Sequence, residues 1–326
     1  MSATFPAAIA AEVLCLSFLL TPAHRAEGHG TPIVLGAAAG SLVVSHAPDA
    51  FPQLIIGEDD LDGQIFDVIS HPLLGELAYW ELPGFEIGGL NSASSVSIAP
   101  IATLDYSQNP TQPRALWHWN SQSQQVQPTS ATFHLLGTGG RFATIDAQAA
   151  PAPFLLADPI DGQQGFHNHN LLRFAIERSA PDGVYGFFAR MTSNQYAPSN
   201  SFLLVFNYRG NLDDYNQIAY DEVRPAALAI AAAALPGDYD HNGLIAADDY
   251  YRWKLDFGST LIPFALSDGN GDGTVGAADY TVWRNHLGAA IPMPIAAAVA
   301  QKIPEPTAGA LVALLATLLA LQRCGR

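Results

Sequence analysis

The chain of 326 residues exceeds the usual span of one domain, so a main domain with smaller modules attached is expected. Asp and Glu number 30 against 14 Lys and Arg; the net charge of -16 argues against nucleic-acid phosphate or an anionic surface as partner and favours a metal cation. Its 2 cysteines, Cys15 and Cys324, lie in terminal apolar segments, which leaves any small module to be stabilised by its own core or by bound metal.

Residues 1–28 read as a secretory signal. An apolar run from Val13 to Leu20 precedes Thr21-Pro22-Ala23 and Ala26-Glu27-Gly28, small-residue patterns suited to signal peptidase, although no Lys or Arg precedes the run. A buried N-terminal helix is the alternative. Cleavage after Gly28 would expose His29 as the amino terminus. A terminal histidine ahead of a β-sandwich is similar to the copper brace of lytic polysaccharide monooxygenases, but the rest of that family's pattern is not found in this sequence.

Residues 29–210 form the passenger region, where short apolar runs are separated by Gly, Pro and Ser turns. Strand-like segments are PIVLG, SLVVSH, FPQLIIG, GQIFDVIS, SVSIAPIAT, RALWHWN, SATFHLLG, RFATID, LLRFAIE, GVYGFFARMTS and SFLLVFNYR. In the last, Phe202, Leu204, Phe206 and Tyr208 alternate with Leu203, Val205 and Asn207, the period of two that a strand requires. The pattern predicts a mainly β fold, an all-β sandwich or jelly roll.

Three constellations in this region could carry chemistry. His167 and His169 would share one strand face and could hold a metal, but no Glu follows at cupin spacing and Arg173 would fall on the same face. Asp59, Asp60 and Asp62 could serve a cation or glycoside hydrolysis, or form a solvated hairpin with Asp-Gly at its turn. Trp117 and Trp119 could stack on sugars, though core positions suit them better. The sequence contains no nucleophile elbow, phosphate loop or Cys/His zinc set.

Residues 211–235 read as a helical, Ala-rich linker, NLDDYNQIAYDEV followed by RPAALAIAAAALPG. From 236 to 290 an acidic pattern occurs twice. With Asp238 at position 1, oxygen ligands fall at Asp238, Asp240, Asn242, the carbonyl of Leu244, and Asp249 at position 12, with Gly243 permitting the turn. The second copy offers Asp268, Asn270, Asp272, the carbonyl of Thr274, and Asp279. Alternate oxygens converging on one point suit a hard cation, so two Ca2+ sites are expected. Position 9 is Ala246 or Gly276, neither of which can ligate, so that vertex falls to solvent. Without the ion, three like charges per loop repel, and removal of calcium should loosen the module.

A short amphipathic helix is expected after each loop, with Tyr250, Trp253 and Phe257 on one apolar face and Tyr280, Trp283 and Leu287 on the other. Gly258 and Gly288 would end these helices, and Asp249 and Asp279 at their starts would favour the dipole. Ile245 and Val275 could pair as a minimal β-bridge between the sites. Neither PGDYD nor LSDGN predicts an entering helix, and position 12 is Asp where a full EF-hand usually has Glu.

This duplicated loop-helix form, from Pro236 to Gly288, resembles a type I dockerin. The resemblance implies that a cohesin-like domain binds residues just inside each helix. Matching positions are Ala247, Asp248, Lys254 and Leu255 in the first copy and Ala277, Ala278, Arg284 and Asn285 in the second. Near-symmetry of the copies implies two binding orientations. Dockerins often ride on carbohydrate-active enzymes, and they also occur on surface proteins with no hydrolase attached.

After a linker at 291–303, the chain offers Pro304-Glu305-Pro306, an apolar run and a basic end with Arg323 and Arg326. The run is shorter than the ~20 residues a stable span needs. This order resembles the PEP-CTERM sorting signal of bacterial exported proteins. It implies transient membrane anchoring with the arginines on the cytoplasmic side, and cleavage by an exosortase-type enzyme. A permanent tail anchor is the alternative. The combined expectation is an exported, calcium-binding surface or matrix protein, more in keeping with a structural role than an enzyme. The competing expectations are a carbohydrate-active enzyme and a carbohydrate-binding module.

Overall fold

The two longest strands, at residues 183–193 and 202–208, are buried over most of their length, and the rest of the fold is laid on them. The computed structural model describes residues 33–45, 54–57, 67–80, 84–108, 111–157, 167–168, 172–209 and 218–292. The expected signal at 1–28, the sorting segment with Pro304, Glu305 and Pro306, and Asp59, Asp60, Asp62 and His169 lie outside the described residues.

The chain is mainly β with several sheets. Its first nine strands are β1 (Ile33–Ala38), β2 (Ser41–Ser45), β3 (Leu54–Gly57), β4 (Asp67–His71), β5 (Gly75–Trp80), β6 (Phe85–Ile87), β7 (Val96–Ile101), β8 (Thr103–Asp105) and β9 (Gln112–Arg114). The next nine are β10 (Trp117–Asn120), β11 (Gln125–Gln127), β12 (Phe133–Gly137), β13 (Phe142–Ile145), β14 (Phe154–Ala157), β15 (His167–Asn168), β16 (Leu172–Glu177), β17 (Gly183–Ser193) and β18 (Phe202–Tyr208). Among the described residues three α-helices follow: α1 (Ile218–Ala234), α2 (Ala247–Asp256) and α3 (Ala277–His286).

A seven-stranded sheet runs β11-β10-β17-β18-β3, with β7 also on β17 and β14 on β7. A five-stranded sheet, β13-β12-β16-β5-β4, faces it. The two meet through aromatic rings. Phe206 of β18 lies 4.9 Å from Phe133, 4.8 Å from Phe174 and 5.1 Å from Trp80, all three on strands of the smaller sheet. Such offset and tilted ring contacts add to the area these side chains bury. A four-stranded sheet, β15-β6-β1-β2, contributes Ile33, Leu35 and Phe85 to the same core.

Every residue of β18 is buried, on both faces. Phe202, Leu204, Phe206 and Tyr208 point into the core between the sheets, while Leu203 and Val205 join a second cluster on the other side. That second side is covered by α1, whose Val223, Ala226, Ala227, Ile230, Ala233 and Ala234 recur at helical spacing and are all buried. Their small side chains allow the helix to lie close against the strands. The expected Ala-rich connector therefore packs as a third layer, continuous through Pro225. Trp117 and Trp119 are buried beneath it, so neither presents a ring to solvent for sugar stacking.

The layered core gives a direct stability test. Phe206→Ala should cost about 3–5 kcal/mol, read as a lowered urea midpoint with an unchanged slope, because it empties the point where three other rings meet.

Candidate metal centre

The first acidic loop begins where α1 stops. Leu235, Pro236 and Gly237 turn the chain after Ala234, and Gly237 adopts φ 100°, a conformation that suits glycine. The sequence alone predicts no entering helix, yet the first loop has one, set off by this turn. The second loop is entered from turns and bends rather than a helix.

Both loops are folded by the same hydrogen bonds. Asp238 Oδ2 accepts from Gly243 N at 2.9 Å, and Asp268 Oδ2 accepts from Gly273 N at 2.9 Å. At position 12, Asp249 Oδ1 accepts from Tyr239 N at 2.7 Å and Asp240 N at 3.1 Å, and its Oδ2 accepts from Ala246 N at 2.7 Å. Asp279 repeats the arrangement with Asn270 N at 3.1 Å and Gly276 N at 2.6 Å. These last contacts are the side-chain half of a capping box, so one carboxylate closes the loop and starts the helix. Gly243 and Gly273, at φ 85° and 81°, make the turns that aim the preceding side chains inward.

The loops differ in how tightly their carboxylates converge. One oxygen each from Asp238, Asp240 and Asp249 lies within 4.8 Å of the others, a cluster that could hold a metal ion. Asp238 and Asp249 are buried. Burial first, and then the neighbouring Asp249, push the Asp238 carboxyl up to about 8. Asp249 is also raised, chiefly by burial, against the pull of its backbone donors. In the second loop Asp268 and Asp279 are buried and Asp272 is exposed. Among the described residues, no other group of His, Cys, Asp or Glu converges this closely. The backbone of His167 pairs with that of Glu86 in the sheet register.

The two helices lock their loops together crosswise. Trp253 Nε1 donates to Gly276 O at 2.8 Å, and Trp283 Nε1 donates to Ala246 O at 2.8 Å. Thus each indole bonds the position-9 carbonyl of the other copy. Tyr250 stands 5.3 Å from Trp283, and Trp253 stands 5.3 Å from Tyr280, giving a four-ring cluster between α2 and α3. Tyr239 adds a bond from its hydroxyl to Asp279 O at 2.7 Å. Sequence reasoning missed these contacts, because a backbone carbonyl has no residue signature.

Two expectations are corrected. Ile245 and Val275 do not pair with each other: Ile245 N donates to Ala289 O and Val275 N donates to Ser259 O, so each loop is stitched to the segment that leaves a helix. The expected helix faces also stop short. Phe257 and Leu287 are 58% and 55% exposed because α2 and α3 end before them, at residues where ψ turns extended ahead of Gly258 and Gly288. The positions matched to a partner surface, Ala247, Asp248, Lys254 and Leu255 on α2 and Ala277, Ala278, Arg284 and Asn285 on α3, are all exposed.

The raised carboxyl sets a pH dependence. An Asp whose folded pKa exceeds its unfolded value of ~3.9 costs stability progressively as pH rises from ~4 towards 8. In calcium-free buffer the melting temperature of α2 and α3, followed by circular dichroism, should fall across that range. Excess Ca2+ should reverse the trend, since cation ligation requires the deprotonated form.

In comparisons with known proteins the chain matches no family model, no curated protein and no solved structure.

Proposed function

We propose that residues 236–290 are a two-site calcium module of the dockerin-like kind, which links an exported surface or matrix protein to a partner. The observation that carries this reading is the repetition of one loop scaffold around buried carboxylates, two of which converge with the half-buried Asp240 at the first copy. The donor set is all oxygen, which fits a hard divalent cation and not zinc. Asp238, Asp240, Asn242, the Leu244 carbonyl and Asp249 would hold one Ca2+. Asp268, Asn270, Asp272, the Thr274 carbonyl and Asp279 would hold the other. A bound dication would replace the mutual repulsion of each set by attraction and so fix α2 and α3.

The partner-facing residues stand out from the helices the ions would hold. Leu255 is 81% exposed and Tyr251 58%, with Lys254 Nζ over the rings of Tyr250 and Tyr251. Apolar exposure beside a cation suits a protein surface, in this reading a cohesin-like domain. The terminal segments, by their resemblance, would direct export, transient anchoring and exosortase-type processing near Pro304-Glu305-Pro306. No helix among the described residues is long and apolar enough to cross a membrane, and the sorting segment lies outside them.

One observation favours carbohydrate binding as a second reading. A cleft of about 540 Å3 between the β strands, α1 and the module is lined in part by Tyr106, Gln108, Gln124, Gln125 and Phe264. Amides and ring faces are the groups that recognise neutral sugars.

Calcium titration of the whole chain by calorimetry should show two binding steps, with a gain of helix in far-ultraviolet circular dichroism. Asp249→Ala and Asp279→Ala should each remove one step; if neither changes the titration, the assignment is wrong. Incubation with a polysaccharide panel distinguishes the alternatives for the passenger: release of sugar would establish turnover, and retention without release would establish binding.

A further inference from the structure

The two loops have different surroundings. At the first, Ile291 N donates to Gly243 O and Ile245 N donates to Ala289 O, both at 2.9 Å, so the strand carrying the Leu244 carbonyl is bonded on each side of it to residues 289–291. Those residues are held in turn by the β domain. Arg190 of β17 donates from Nη2 to Ile291 O at 3.3 Å and from Nη1 to Ser199 O at 3.1 Å. Gly243 lies so near the sheet's connecting segment that a Cβ there would come 2.6 Å from Ser201 Oγ.

Packing follows the same line. Ile245 and Ile291 are buried in one cluster with Trp117, Leu203 and Val205 of the sheet and with Ala226 and Ile230 of α1. Asp238 N bonds to Leu235 O just beyond the end of α1, at 3.3 Å. The corresponding stitch at the second loop joins Leu261 N to Gly273 O, but Leu261 is only half-buried and lies outside the cluster that holds Ile245 and Ile291 against the sheet.

We propose that the first loop and the sheet beneath it are one cooperative unit, in which calcium at Asp238, Asp240 and Asp249 stabilises α1, β17 and β18, with Arg190 as the positioning residue between them. This rests on the calcium reading above. A ligand that binds only the folded loop stabilises whatever must be folded with it, and the coupling is reciprocal: loosening the sheet contact must weaken the ion. The second site acts on α2 and α3, which its own loop and the crossed indoles hold.

Hydrogen exchange of the full chain, with Ca2+ and with chelator, tests the coupling segment by segment. Chelation should speed exchange in α1, β17 and β18 as well as in α2 and α3. Asp249→Asn should reproduce that pattern in the presence of Ca2+, whereas Asp279→Asn should act mainly on the two short helices and less on α1, β17 and β18, which it reaches only through the end of α3. Arg190→Met, which keeps the stem and removes the donors, should weaken one calorimetric calcium step by about 5- to 10-fold and leave the other. If chelation deprotects α2 and α3 alone while calorimetry still shows calcium binding, the coupling is overturned and the calcium reading stands. If calorimetry shows no binding, both fall. The wild-type comparison decides the matter even where Arg190→Met does not fold.

Discussion

Like charges crowded into a buried turn are the constraint around which residues 236–292 are arranged. Asp238 and Asp249 are withdrawn from water beside one another, and the backbone answers with as many N–H donors as a short loop can aim at them. Donors of this kind favour the ionised form, burial opposes it, and for Asp238 burial prevails. A fold can tolerate that balance if something else supplies positive charge. The proposed calcium ions would do so, acting where each loop becomes a helix, at the point with most leverage over α2 and α3.

The β region is governed by a different limit. A strand buried on both faces needs cover on both, and β18 receives it from the aromatic core on one side and from α1 on the other. Because α1 leads straight into the first loop, covering the sheet also positions Asp238. The order of segments along the chain thus turns a packing requirement into a means of placing a candidate ligand.

Much of this was legible in the residues and some was not, for identifiable reasons. Runs such as LLRFAIE, GVYGFFARMTS and SFLLVFNYR lie within or around β16, β17 and β18, since apolar runs of this length, rich in aromatic and branched residues and bounded by turn residues, suit buried strands. Strands β9 and β11, with sequences QPR and QVQ, carry no such signal; antiparallel pairing with the strands just before them, β8 and β10, makes them strands. The Ala-rich stretch read as a connector because Ala is apolar without being bulky. The clue lay elsewhere, in the unbroken apolar character of β18, which left Leu203 and Val205 needing a neighbour. The repeat of the two loops was legible because its spacing is regular, and the hydrogen bonds of Asp238 and Asp268 follow that repeat. Which segment each loop bonds to was not, because Ile245 and Val275 find backbone groups that any sequence would provide.

The crossed indole bonds bear on how such a module can be inherited. Trp253 serves the loop that begins at Asp268, and Trp283 serves the one that begins at Asp238, so each copy carries a part belonging to the other. Half of the pair is therefore not a unit that recombination could move intact. The copies differ in their outward residues, as at Leu255 and Asn285, and even at position 9, where Ala246 and Gly276 each offer the backbone carbonyl that the indole of the other copy requires.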